Sequence, residues 1–263
     1  MGGTLRAAPF QCNTCGAAVT TVPYEALERE GGFCPRCGST VRIRALTHLL
    51  SIALQGRSLP TVDWVPTRKT VYGVSDWPGF ATYLRRVCRY TNTQFDRDAF
   101  PDAPFLDITA PAASFIGTAD ALVCSDVLEH VSPPVQRAFD GLFSMLQPGG
   151  TLVFTVPYSL EETIEHFPDL YAWKLVDLQG APVLVNRTRS GKLETFEGLV
   201  FHGGGKAVLE MRLFGLKSIL AHLATAGFVD VTVMPEDVPA YGIRLEPWSR
   251  GITARRPPIG TPS

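Results

Sequence analysis

The chain has 263 residues, 45% of them apolar, and a formal net charge of −1. That is enough apolar material for one large core plus a small module, and too even a charge for a global field aimed at nucleic acid or an anionic membrane. No apolar run approaches the ~20 residues of a spanning helix and the start has no basic secretory segment, so the expectation is a soluble, cytoplasmic protein.

Residues 1–9 read as a frayed leader. Residues 10–41 contain Cys12, Cys15, Cys34 and Cys37, two Cys-x-x-Cys knuckles separated by eighteen residues. Thiolates at i and i+3 of a tight turn grip one face of a tetrahedral ion, and Gly16 and Gly38 supply the positive φ such turns require. The spacing is that of a four-cysteine zinc ribbon with structural Zn2+; two disulfides are the alternative, disfavoured in a reducing compartment. Cys88 and Cys124 lie in apolar contexts and read as core. Residues 42–69 are expected to form a connecting helix (Arg42–Leu54) and a Gly/Pro-punctuated linker.

From residue 70 to 256 strands and helices alternate. Strands are expected at Thr70–Ser75, Arg89–Phe95, Pro104–Ile108, Ala119–Cys124, Thr151–Val156, Phe228–Met234 and Gly251–Arg255. Helices are expected at Trp77–Val87, after a Ser132 cap with Pro133 and Pro134, and around Leu216–Leu223 up to Gly227. In the second of these Val135, Ala138, Phe139, Leu142, Phe143 and Leu146 share one helical face, and Pro148-Gly-Gly150 stops it. This alternation predicts an α/β fold with a doubly wound, mostly parallel seven-stranded sheet. Residues 158–213 interrupt the alternation. They contain an expected β-hairpin, Val183–Thr188 with Leu193–Val200, and follow the carboxyl end of a strand, the place for a lid or substrate-recognition insertion.

Ser125-Asp-Val-Leu-Glu-His-Val131, Leu146-Gln-Pro-Gly-Gly150 and Ala226-Gly-Phe228 together resemble class I S-adenosylmethionine (SAM) dependent methyltransferases, in particular the type 11 group, over about residues 70–256. The resemblance implies a methyl transfer with SAM as cofactor. It places Asp107 and Ile108 near the adenine, Asp96 on the ribose hydroxyls, Gly73 where the backbone approaches the cofactor, Ser75 and Asp76 at the methionine ammonium, and Ser125 and Asp126 beside them. The family usually carries Gly-x-Gly after its first strand; this chain has Val71-Tyr-Gly-Val-Ser-Asp-Trp-Pro-Gly79.

His202, in the glycine-rich run Phe201-His-Gly-Gly-Gly-Lys206, has the pKa of a general base at neutral pH, and His166 and His130 are further candidates. Asp126, Glu129 and His130 are also spaced like the acid-x-x-Glu-His cluster that ubiquinone-pathway and small-RNA methyltransferases use for a divalent ion. That similarity implies a Mg2+ or similar ion near the acceptor oxygen, with His166 or His202 completing the set; helix capping by the same residues is the plainer reading. Tyr158 is expected at the mouth of the site, and His48 and His222 are expected to be structural.

The leading expectation is an O-methylating enzyme acting on a polar small molecule or glycan in a biosynthetic pathway. The ribbon has no basic stripe with interleaved aromatics, which argues against nucleic acid. An RNA methyltransferase is the alternative among enzymes, and a non-catalytic zinc-ribbon scaffold the alternative from another class. Oligomeric state is open.

Overall fold

The computed structural model describes residues 9–202 and 208–260. The run Gly203 to Ala207, which includes Lys206, lies outside the described residues, as does the expected leader up to residue 8.

The two cysteine turns have the same backbone. The amide of Gly16 donates to the Cys12 carbonyl (2.7 Å) and that of Gly38 to the Cys34 carbonyl (2.8 Å). Both glycines are left-handed, with φ of 76° and 75°. Helix α1 (Val41–Gln55) follows directly. The Thr40 hydroxyl accepts from the Ile43 amide at its start and left-handed Gly56 closes its end. α1 lies on one face of the main sheet, and its Leu46 and Leu50 share a buried cluster with Cys12, Cys15, Val19 and Leu27. The cysteine module is therefore welded to the sheet through α1. Fully buried Arg44 adds polar ties, donating to the carbonyls of Gly32, Ser39 and Gly242.

The main sheet contains β1 (Thr70–Val74), β2 (Arg89–Thr93), β3 (Ala119–Ser125), β4 (Leu146–Thr155), β5 (Val229–Val233) and β6 (Ile252–Arg255). Their spatial order is β5-β6-β4-β3-β1-β2, with β1 to β4 parallel and β6 antiparallel to both neighbours. β3 is buried along nearly its whole length, as a strand covered on both faces must be. α2 (Pro78–Leu84) joins the cluster on the α1 face; α3 (Gln136–Met145) and α4 (Leu216–Ala226) cover the other. The chain runs outward from β1 to β2 and then returns to the opposite side of β1 as β3. A crevice between the carboxyl ends of β1 and β3 follows from that reversal.

Several expectations are corrected. Six strands form the sheet, not seven: Pro104–Ile108 contributes only a single parallel bridge, Phe105 to Gln94. Ser132 does not cap α3, which begins at Gln136 without a side-chain cap. Pro148-Gly149-Gly150 lies within β4, where the register against β3 slips between Ala119 and Ala121. The hairpin in the insertion is the central and one edge strand of a three-stranded antiparallel sheet of Ala172–Leu178, Ala181–Arg187 and Leu193–Phe196. Its first strand is exposed along most of both faces, so no apolar alternation marks it. Among the described residues no helix is long and apolar enough to cross a membrane.

Candidate active site and cysteine cluster

At the carboxyl end of β1, Ser75 is left-handed (φ 52°), and at the end of β3 Asp126 is too (φ 53°). Positive φ at two non-glycine residues flanking the same crevice is costly and marks a constrained site. Ser75 thus adopts the backbone conformation for which a glycine would be the easy choice. Gly73 is needed for another reason: a Cβ there would overlap the Tyr90 hydroxyl and the Asp76 carboxylate. Asp76 is 3% exposed and accepts from Tyr90 Oη (2.7 Å), and its backbone is pinned on both sides by the Asn92 amide group. Burial pushes its carboxyl up to about 7, against the opposing pull of the Tyr90 hydrogen bond and the Arg42 charge. Its Oδ1 has no partner.

Asp126 faces the cysteine module. Its Oδ1 accepts from Arg29 Nη2 (2.5 Å) and Thr155 Oγ1 (3.0 Å), and its Oδ2 lies 3.3 Å from Arg42 Nε. Burial raises this carboxyl, but Arg42 and Arg29 outweigh burial and hold it below the usual range. Arg42 also donates to Ser125 Oγ. Gly73, Ser75, Asp76, Ser125 and Asp126 are thus gathered at the strand ends β1 and β3. The remaining cofactor candidates lie apart from this knot. Asp96 is exposed and caps its own turn through the Ala99 amide (2.8 Å). Asp107 accepts from the amide and hydroxyl of Thr109, while Ile108 is buried in the core with Phe139 and Leu142.

The histidine candidates form a second cluster, where the insertion meets the turn after β3. Glu210 bridges His166 Nε2 (2.8 Å, from Oε1) and His202 Nε2 (3.0 Å, from Oε2). The His202 ring stands edge-on to His130 with centroids 5.4 Å apart, and His130 Nδ1 meets the Leu209 carbonyl at 2.9 Å. Burial lowers the His130 pKa. Glu129 is 1% exposed, neither carboxylate oxygen has a hydrogen-bond partner (Oε1 lies 3.9 Å from His130 Nε2), and burial followed by the Asp126 charge raises it to about 8. Glu129, His130 and His202 each present a ligand atom within 4.8 Å of the others. Asp126, of the expected Asp126/Glu129/His130 trio, is not in that group: it lies against Arg29 and Arg42, and His202 stands with Glu129 and His130 in its place. Fully buried Arg212 fixes this turn from the insertion side, donating to the Leu128 and Val131 carbonyls (3.0 and 2.7 Å) and pairing with Glu165 (2.7 Å). Tyr158 is buried, and the expected structural histidines make local contacts: His48 meets Ser58 Oγ and His222 meets Gln136 Oε1 and stacks on Phe139.

The four cysteines are free thiols with Sγ atoms 3.7 Å apart for Cys12–Cys37 and for Cys15–Cys34. A disulfide needs about 2.0 Å. Zinc–sulfur bonds of about 2.3 Å in a tetrahedron put sulfurs about 3.8 Å apart, so the cluster fits a closed tetrathiolate site.

Residues 55–154, from the end of α1 to the end of β4, match the family model described as a methyltransferase domain. That segment, 100 of the 263 residues, is what resembles a methyltransferase domain. No curated protein matches the chain. Among solved structures it is similar to the CurJ carbon methyltransferase (16% identity, 83% of this chain and 56% of that chain, TM-score 0.47). It is likewise similar to DesVI of Streptomyces venezuelae (15%, 82% and 92%, TM-score 0.45) and to CalS10, an amino pentose methyltransferase of Micromonospora echinaspora (13%, 83% and 92%, TM-score 0.47). The chain spans little more than half of the CurJ chain and of the citrinin polyketide synthase methyltransferase domain (52%).

Arg29, Arg42, Glu210 and Arg212 were not among the residues that the sequence nominates. Only Arg42 leaves a signal: it and Arg44 stand in the first turn of a helix, the end at which cations are disfavoured. The others are joined to the site by contacts between distant stretches of chain.

Proposed function

We propose that this methyltransferase transfers the methyl group of SAM to an oxygen of a polar small molecule or glycan. The observation that carries this reading is the Glu210-bridged pair of histidines, His166 and His202, set beside His130 at the turn that follows β3. SAM supplies an electrophilic methyl carbon. A hydroxyl acceptor must lose its proton as that carbon is attacked, and a histidine held by a carboxylate is suited to take it. Glu210 fixes the ring orientations of His166 and His202. His202 is the more exposed of the two at 39% against 29% and is our choice of base. Gly73, Ser75, Asp76, Ser125 and Asp126 make up the cofactor side of the crevice, with Asp96 and Asp107 further along the strand ends toward the nucleoside. Cys12, Cys15, Cys34 and Cys37 hold structural zinc. Glu129, His130 and His202 would alternatively suit a divalent ion that orients the acceptor oxygen, two imidazoles and a buried carboxylate, in which case His202 is committed to the ion and His166 is left to take the proton.

The test is to incubate the protein and a His202→Ala variant with methyl-labelled SAM and a metabolite extract. Label is expected in the small-molecule fraction, reduced about 10²- to 10⁴-fold in the variant if His202 is the base. Label in RNA would replace this reading with an RNA methyltransferase, and failure to bind SAM or S-adenosylhomocysteine would reduce the protein to a scaffold.

A further inference from the structure

The ion pairs that tie the cysteine module to the end of β3 place positive charge where the local structure opposes it. Arg42 is the second residue of α1, next to the positive end of the helix, and only 19% of its side chain is exposed. A cation in such a position requires compensation by anions, and it has them: Asp126, Glu30 and the charge of nearby Asp76. Arg29 reaches the same point from the loop between the cysteine knuckles.

Glu30 differs from the other anions. Its side chain is 50% exposed, and it receives Arg42 through both oxygens, Nε to Oε1 at 2.6 Å and Nη2 to Oε2 at 3.0 Å, with Arg29 Nη1 also on Oε1 at 2.5 Å. That two-bond arrangement is the way a guanidinium takes a carboxylate, and nothing in it is peculiar to glutamate. Asp76, acted on by the same Arg42 charge, is buried and keeps one oxygen, Oδ1, without a donor, while its Oδ2 and the Tyr90 hydroxyl fill the space beside Gly73. The crevice therefore offers an orphaned carboxylate oxygen for a cation and a guanidinium pair whose present carboxylate is half in solvent. An α-amino acid carries the two complementary charges on adjacent atoms.

We propose that the cysteine module is one wall of the cofactor site: Arg42, aided by Arg29, receives the α-carboxylate of the methionine end of SAM, Asp76 receives its ammonium, and Glu30 occupies the carboxylate position until the ligand displaces it. This rests on the reading of β1 and β3 as the cofactor-binding strands. It gives the module a part in binding as well as in architecture, and Arg42 and Glu30 effects of opposite sign.

The experiment is calorimetric titration of the full metal-replete chain with S-adenosylhomocysteine and with 5′-methylthioadenosine, which keeps the nucleoside and sulfur but lacks the amino-acid end. The wild type should prefer S-adenosylhomocysteine. Arg42→Ala should lose about 10- to 100-fold of that affinity, the range of a charge-assisted hydrogen-bonded pair, and leave 5′-methylthioadenosine unchanged. Glu30→Gln should gain several-fold for S-adenosylhomocysteine alone. Where Arg42→Ala loses both ligands alike, Glu30→Gln decides. Equal wild-type affinity for the two ligands, an unchanged Arg42→Ala, or a Glu30→Gln without gain overturns the inference while the SAM reading stands. A wild type that binds neither ligand overturns both.

Discussion

Asp76 shows how one residue couples packing to charge. It was nominated from its position after the first strand, yet its state is set by burial in the fold, opposed by partners far along the chain: Tyr90 on β2 and Arg42 on α1. Its folded-state value of about 7 lies above the ordinary 3.8, so folding favours the neutral form. The associated stability is fully present below the unfolded value and is lost as pH rises through about 7. The difference in urea-unfolding free energy between the wild type and Asp76→Asn is therefore expected to move by about 2–3 kcal/mol from pH 5 to pH 8, with the wild type falling. A difference that stays flat across that window would mean that Asp76 ionises in the fold as easily as in the unfolded chain. The reasoning also explains why sequence spacing reached Asp76 and missed Arg42: the former sits in a recognisable strand end, while the latter acts across a tertiary contact.

Among the elements, α3 carries a less visible constraint. Its amphipathic face is plain in the sequence, and Ala138, Phe139 and Leu142 are fully buried as the spacing predicts. Gly141, within the same helix, looks like a flaw that costs about 1 kcal/mol relative to alanine. In the fold a Cβ at that position would overlap the carbonyl oxygen of Ile108, so glycine permits the helix to lie directly on the segment after the Phe105 bridge. Gly141→Ala is expected to lose about 1–3 kcal/mol to overpacking despite its better helix propensity. Chemical denaturation measures it, and a variant more stable than wild type would show that α3 and residues 107–109 can part without cost. The shortened third strand has the same origin in context: Pro104–Ile108 has strand-like composition, but its pairing is confined to Gln94, which bonds the Pro104 carbonyl and the Leu106 amide around Phe105.

Across the whole molecule, the cysteine module, the sheet and the insertion meet at one end of β3. Arg29 arrives from the first, Arg42 from α1 directly after it, and His166, His202, Glu210 and Arg212 from the third. On the proposed reading, in which the four cysteines hold zinc and the ends of β1 and β3 hold the cofactor, loss of zinc should therefore be felt at the cofactor site. Strong chelation is expected to release about one zinc per chain, lower the melting temperature, and weaken S-adenosylhomocysteine binding at least about tenfold, since metal-held ribbons lose their fold with the ion. Metal assay, thermal unfolding and calorimetry on the same sample follow the three effects. Full affinity retained after complete zinc loss would uncouple the module from the site.

The sequence by itself determined the order of most strands and helices, the four-cysteine cluster and the methyltransferase resemblance of the segment ending in β4, because each depends on local periodicity or on short fixed spacings. Ser125–His130 was legible for the same reason. Tertiary structure alone decided which charges meet there. Asp126 is drawn to Arg29 and Arg42 rather than to Glu129, and His202 joins His130 and Glu129 through an insertion that returns about seventy residues later. Pairings of that kind depend on the sheet order and on helix and insertion packing, in which contact is set by burial of apolar faces and compensation of buried charge, neither of which a linear spacing encodes.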